Sequence, residues 1–213
     1  MYTGGNIIRN GLVLALDAAS KNSYPGSGTT WTDLSGNGYT GTLTNSPTFN
    51  SANFGNFTFN GTNQYTTTTY TQPAYGTATS FTWNVWVNIP NLTNPNSPII
   101  GNRGTTLVFI KLTKAAFEYY PLNMLHTLTE NVWQNICIVK NGTSFTYYKN
   151  NAVITTATSS ATQASTAPFY IGGDNTANEY FGGNIANVQV YNRALSATEI
   201  SQNFNATKSR FNL

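Results

Sequence analysis

Between Ser80 and Ile89 the chain alternates: Phe81, Trp83, Val85, Val87 and Ile89 are large and apolar, while Thr82, Asn84 and Asn88 are polar. A period of two fits a strand with one face on a core and has no helical counterpart, because helical neighbours recur at three and four. Trp86 interrupts the polar side, which predicts that this second face is covered as well. The rest of the chain is suited to supply neighbouring strands. It holds 34 Thr, 12 Phe, 13 Tyr and 4 Trp, types that favour a pleated and half-buried surface. Thirty Asn and 18 Gly provide turns between them.

Charge is scarce. Only 8% of the 213 residues are charged, against about 25% in an ordinary globular protein. The net +3 comes from 10 basic and 7 acidic side chains scattered along the chain. No stripe tracks a phosphate backbone, which argues against nucleic acid as a partner. The longest apolar run, Leu12 to Leu16, falls far short of the ~18 residues of a membrane span. The opening Met1-Tyr2-Thr3-Gly4-Gly5-Asn6 lacks the basic-then-apolar layout of a secretion signal. Solubility must rest on amides and hydroxyls, which suits a chain outside the cytosol or held in an assembly. A single cysteine excludes an intrachain disulfide.

Other strands follow the same signals. Leu12 to Leu16 reads as a strand covered on both faces, ended by Asp17. Residues 20–48, rich in turn residues, read as one long decorated connection. Phe57 to Gly61, Tyr65 to Tyr70, Ile99-Ile100, Thr106 to Leu112 and Ala116 to Tyr120 continue the pattern. Val132 to Lys140, Phe145 to Tyr148 and Ala152 to Thr156 form a meander turning at Asn141-Gly142 and Asn150-Asn151. Phe169 to Ile171 and Ile185 to Tyr191 close the series around a glycine-rich loop, Gly172 to Gly183. Roughly twelve short strands without a linker predict an all-β, two-sheet antiparallel sandwich as one domain over 1–213. One helix is expected at 197–204. Ser196 followed by Glu199 forms a capping box, with Leu195 and Ile200 placed as a hydrophobic staple.

The chemistry-bearing residues are few. Retaining glycoside hydrolysis needs two carboxylates about 5 Å apart. None of Asp17, Asp33, Glu118, Glu130, Asp174, Glu179 and Glu199 lies two residues from another on one strand. No catalytic residue is therefore assigned and the chain is not expected to be an enzyme. Cys137, between Ile136 and Ile138, reads as an inert buried thiol, and His126 as a surface or packing residue. One His and one Cys do not make a zinc site of the usual composition. Asp33 with Asn37 is the best polar pair. Asp33 and Ser35 either fix the turn before Gly36 through local amides or, with Asp174, hold a cation or a sugar hydroxyl. Trp31, Tyr39 and Tyr180 fall in loops, where a ring either stacks on a sugar or caps the sandwich edge. The candidate ligand residues are thus Trp31, Asp33, Asn37, Tyr39, Asp174 and Tyr180, with no metal site assigned.

The ending Gly183-Asn184-Ile185-Ala186-Asn187-Val188-Gln189-Val190-Tyr191-Asn192-Arg193-Ala194-Leu195-Ser196, with Glu199-Ile200, resembles the closing strand and helix of laminin-G-like jelly rolls. These belong to the concanavalin A-like lectin/glucanase superfamily. Gly11 to Asp17, Trp31 to Gly38, Phe59-Asn60-Gly61 and Phe81 to Val87 agree in order, so the resemblance implies a jelly roll with its core at 8–206. Tyr24 to Asp33, and Gln202 to Ala206 with Arg210-Phe211, are similar to tailed-phage structural proteins of marine and cyanobacterial viruses. That resemblance implies a virion component made in the host cytoplasm: a fibre, a tail-associated adhesin or a capsid-surface decoration. Its implied partners are other virion proteins, host surface glycans and further copies of itself. Residues 1–7 and 207–213 are then expected to reach neighbouring subunits. A free-standing carbohydrate-binding lectin or adhesin module is the alternative. Where relatives carry acids, this chain has Asn60-Gly61-Thr62-Asn63-Gln64-Tyr65 and Ile185-Ala186-Asn187-Val188, which argues against calcium and leaves no expected cofactor.

Overall fold

The computed structural model describes residues 6–93, 97–103, 107–112, 116–119, 122–125, 128–160, 162, 166–174 and 177–213. The strands begin with β1 (Leu12–Asp17), β2 (Thr30–Thr32), β3 (Thr40–Thr44), β4 (Thr48–Asn50), β5 (Asn56–Asn60) and β6 (Tyr65–Gln72). Next come β7 (Ser80–Asn88), β8 (Ser97–Arg103), β9 (Leu107–Leu112), β10 (Ala116–Tyr119), β11 (Leu122–Leu125) and β12 (Trp133–Asn141). The last are β13 (Ser144–Lys149), β14 (Ala152–Thr158), β15 (Ala167–Ile171), β16 (Gly173–Asp174), β17 (Glu179–Tyr180) and β18 (Gly182–Tyr191). Helix α1 (Ala197–Thr207) and a 3-10 turn at Lys208–Phe211 end the chain.

Every pairing is antiparallel. One sheet runs β14-β13-β12-β7-β18-β5-β4, with β1 also against β18, and the other runs β11-β10-β9-β8-β15-β6-β3-β2. Their facing sides bury one core. Trp83, Val85, Val87, Ile136, Ile138 and Val188 come from the first sheet, and Trp31, Leu43, Ile100, Phe169 and Ile171 from the second. This is the expected jelly-roll sandwich.

The second face of β7 is covered, as Trp86 predicted. Trp86 is fully buried, stacks on Phe211 at 4.1 Å and Phe204 at 5.6 Å, and donates from its indole to Thr207 Oγ1 at 2.9 Å. The layer beneath α1 packs Leu12, Val139, Leu195 and Ile200 beside Trp86, Phe204 and Phe211, and sets amide pairs among them: Asn84 Nδ2 donates to Gln189 Oε1, and Asn203 Nδ2 to Tyr191 Oη. Mutual bonding offsets the cost of burying these amides; Asn187, opposite Trp86, is the exception, with neither side-chain atom bonded among the described residues.

Three expectations change. Residues 20–48 are not a single connection, for they contain β2 and β3 and lead into β4. In β3 the small Gly41 and Leu43 face inward between three threonines, an alternation too short to stand out among turn residues. The helix continues three residues past 204, and the 3-10 turn then folds back. Arg210 and Phe211 are buried against the chain's own sheet, so the expected C-terminal arm is bound in place. At the other end Ile8 N donates to Asn203 Oδ1 at 2.8 Å, while residues 1–5 lie outside the described residues. So do Thr106, Tyr120 and His126. Cys137 is buried in β12, and burial pushes its thiol pKa far up, as an inert thiol requires.

The capping box is present, with Ser196 accepting from Glu199 N and Glu199 accepting from Ser196 N. Arg193 grips the Glu199 carboxylate at 2.9 and 2.6 Å. That guanidinium first, then the Ser196 amide, lowers the Glu199 pKa to about 2, below its ordinary 4.5. A depressed carboxyl contributes its stability above the unfolded value and loses it as pH falls toward the folded one. Glu199→Gln should therefore flatten the acid limb of stability between about pH 5 and about pH 2, read from urea midpoints across that window. An unchanged limb would show that the pair is screened.

Candidate functional site

Three parts of the chain meet at one end of the sandwich: the end of β5 with its following turn, residues 90–93 after β7, and the start of β18. Between them lies an open cleft of about 540 Å³, walled by Thr58, Phe59, Asn60, Gly61, Pro90, Asn91, Thr93, Gly182, Gly183 and Asn184. The three parts close on one another because glycine stands at the contact. A Cβ on Gly183 (φ +155°) would lie 2.7 Å from Asn88 O, and Gly61 N donates to Phe181 O at 3.2 Å.

The polar walls are pre-arranged. Asn60 Oδ1 accepts from the amides of Thr62, Asn63 and Gln64 at 2.9, 3.1 and 3.3 Å. Asn91 Oδ1 accepts from Thr93 N and Thr93 Oγ1, and the next amide, Leu92 N, is held by Glu130 Oε1 at 2.7 Å. Asn184 Oδ1 accepts from Thr58 Oγ1 at 2.6 Å. Side chains so fixed lose little further freedom when a ligand arrives.

Three half-exposed tyrosines, Tyr65 of β6, Tyr170 of β15 and Tyr180 of β17, form one group. Tyr65 lies 6.1 Å from Tyr180 and 6.2 Å from Tyr170, ring centre to ring centre. Tyr65 and Tyr180 close over Gly173, where a Cβ would come within 3.0 Å of each. The rings are tilted to one another by 36° and 54°, and exposed aromatic faces together with hydrogen-bonding amides are the pairing that recognises a ring with one apolar face and a hydroxyl rim.

The six residues singled out from sequence fall into two sets. In the first, Asp33 and Asn37 line β1, while Trp31 and Tyr39 pack into the core. Strand β1 pairs with β18 along one edge only, and its other edge is satisfied by this loop. Asp33 Oδ1 accepts from Ala15 N at 2.7 Å and Ser35 N at 2.9 Å, while Asn37 Nδ2 donates to the Leu12 and Val13 carbonyls. Trp31 has no exposed surface and meets Phe57 edge-on at 4.8 Å, so its ring offers no face to a ligand. Tyr39 packs on Tyr70 at 5.3 Å. Asp174 and Tyr180 form the second set, in the β16–β17 hairpin next to Tyr65. Asn60, Asn91, Asn184, Tyr65 and Tyr170 escaped the sequence reading. The available signal was the repeated Asn-x-Thr of a side-chain-capped turn, at Asn60 and Asn91.

One juxtaposition was absent from the sequence reading. The hairpin register sets Asp174 directly opposite Glu179. The two acids come from different strands, so a search along one strand does not find them. Asp174 has no exposed surface, however, and a catalytic carboxyl has to touch its substrate. Of the remaining acids with described side chains, Asp17 pairs with Arg210, Asp33 with backbone amides, Glu130 with Leu92 N, and Glu199 with Arg193. Among the described residues no three of His, Cys, Asp and Glu gather around one point.

Fold and site together define an antiparallel jelly roll with a shallow polar cleft at one rim. Residues 59–201, well over half the chain, match the family Laminin_G_3, and the protein belongs to the concanavalin A-like lectin/glucanases superfamily. No curated protein matches the sequence. Among solved structures, the binding domain of Paraclostridial Mosquitocidal Protein 1 is similar at TM-score 0.70 and 17% identity, over 93% of this chain and 52% of that one. The botulinum neurotoxin serotype D ligand-binding domain, solved in complex with N-acetylneuraminic acid, gives 0.71 and 12% over 93% and 51%. A Trypanosoma rangeli sialidase mutant displaying trans-sialidase activity gives 0.66 and 17% over 94% and 33%. The chain thus spans about half the length of the toxin domains and a third of the sialidase, and these likenesses show the fold.

Proposed function

We propose that this protein is a non-catalytic glycan-binding module, with the amide-walled cleft and the adjoining Tyr65–Tyr170–Tyr180 cluster as its binding surface. The observation that carries this reading is a cleft of pre-ordered amides together with a group of half-exposed rings, linked by the β5–β6 turn and by the step from β17 to β18. Membership of a superfamily that includes lectins supports it. A relative in fold whose structure holds N-acetylneuraminic acid agrees with a sugar as the class of ligand.

The setting we propose is the surface of a tailed-phage particle, as a decoration, fibre or tail-associated adhesin, with other virion proteins and further copies as neighbours. The stretches Tyr24 to Asp33, and Gln202 to Ala206 with Arg210-Phe211, support that setting through their similarity to phage structural proteins. Locating the protein on purified particles by cryo-electron microscopy tests it, and absence from particles would leave a free-standing lectin.

Binding is tested on a glycan array with the wild type and the Tyr65→Ala/Tyr180→Ala variant. Losing two stacking rings should weaken binding by about tenfold or more. Full binding by the variant would remove the cluster from the site. Release of reducing sugar, abolished by Glu179→Gln, would replace binding with hydrolysis.

A further inference from the structure

The cleft has a marked chemical bias. Among the described residues its walls are amide, hydroxyl, glycine, proline and a phenylalanine, with no charged side chain. Two of the amides are fixed through their oxygens. Asn91 Oδ1 is held by Thr93, and Asn184 Oδ1 by the Thr58 hydroxyl. Each side chain therefore keeps its Nδ2 group without an acceptor among the described residues.

A neutral N–H donor matches the lone pairs of a hydroxyl, ring or acetamido oxygen. It does not substitute for a cation. A carboxylate entering this cleft would shed hydration and meet no opposite charge, and an uncompensated ion is far costlier to bury than a hydroxyl. The protein's cations with described contacts are committed elsewhere. Arg193 is paired with Glu199 and Arg210 with Asp17, while Lys140 donates to the carbonyls of Gly76, Thr79 and Gly142. The charge bonded to the loop bearing Asn91 is the Glu130 carboxylate, of the same sign as an acidic sugar.

We propose that the cleft selects neutral sugars over acidic ones, with Asn91 and Asn184 donating to their hydroxyl or acetamido oxygens. The proposal rests on the glycan-binding reading and narrows it. It separates this protein from its fold relative seen with N-acetylneuraminic acid, which is a carboxylate sugar.

The test is an array of neutral oligosaccharides printed beside the same chains capped with N-acetylneuraminic acid, followed by titration of the best pair. The capped member should bind about tenfold more weakly or worse. Affinity for the neutral member should hold within about twofold from low salt to roughly 0.5 M, because no ion pair is made. Asn91→Asp and Asn184→Asp, which keep shape but exchange the donor for an acceptor, should each cost about tenfold with unchanged circular dichroism. Equal or tighter binding of the capped chains would overturn the selectivity and leave glycan binding standing. No binding anywhere on the array would overturn both.

Discussion

Trp31→Ala should lower the unfolding free energy by about 3–5 kcal/mol, the usual cost of emptying a large buried aromatic site. In a chain of this size that is a drop in melting temperature of roughly 10 °C. The ring has no exposed surface, lies edge-on to Phe57, and packs where Gly41 and Thr66 leave it room. Its indole nitrogen has no hydrogen-bond partner among the described residues, so the loss is one of volume and contact. Trp31→Phe should accordingly cost far less. Native-state glycan affinity, measured well below the transition, should stay that of the wild type. A variant that kept its stability and lost binding would return Trp31 to the ligand surface that its loop position suggested.

Arg210→Met should cost about 3–5 kcal/mol, as removal of one partner from a buried ion pair does. The guanidinium side chain is fully buried. It reaches Asp17 Oδ1 at 2.9 Å and also donates to the carbonyls of Asn53 at 3.2 Å and Gly55 at 3.0 Å. Methionine fills the space but leaves the Asp17 carboxylate without its cation, held among the described residues by the Ala19 amide alone, and strips two carbonyls of their donor. It also frees the turn that holds Phe211 against Trp86, so the C-terminal segment should become the first part to open. Urea denaturation gives the total loss, and amide exchange along α1 locates it. Asp17→Asn added to Arg210→Met should recover part of the deficit, since the stranded charge is then gone. A cost under about 1 kcal/mol would instead mark the pair as solvent-screened.

Much of the fold was legible because strand residues report their own neighbours. In β7 the alternation of Phe81, Trp83 and Val85 with Thr82 and Asn84 fixes which side faces the core, and Trp86 announced the second cover. The Ser196–Glu199 box is local, and so is the Asn150-Asn151 hairpin, where both residues take positive φ (+48° and +68°). The site was less legible. Asp33 and Asn37 look like ligands in sequence because they are polar and lie in a loop, yet their atoms are spent on the free edge of β1, some twenty residues away. Conversely, Asn60, Asn91 and Asn184 look like ordinary turn residues among thirty asparagines, until the fold brings them to one cleft.

From its sequence alone the chain is an antiparallel sandwich with a capped terminal helix, because periodicity, turn chemistry and capping act over a few residues. Only the folded structure decided that Lys140 is buried under three carbonyls, that Asp174 meets Glu179, and that Arg210 ties the C-terminus to β1. Those contacts join strands and turns whose meeting depends on sheet order and register, and a polar side chain carries no local mark of which distant partner will satisfy it.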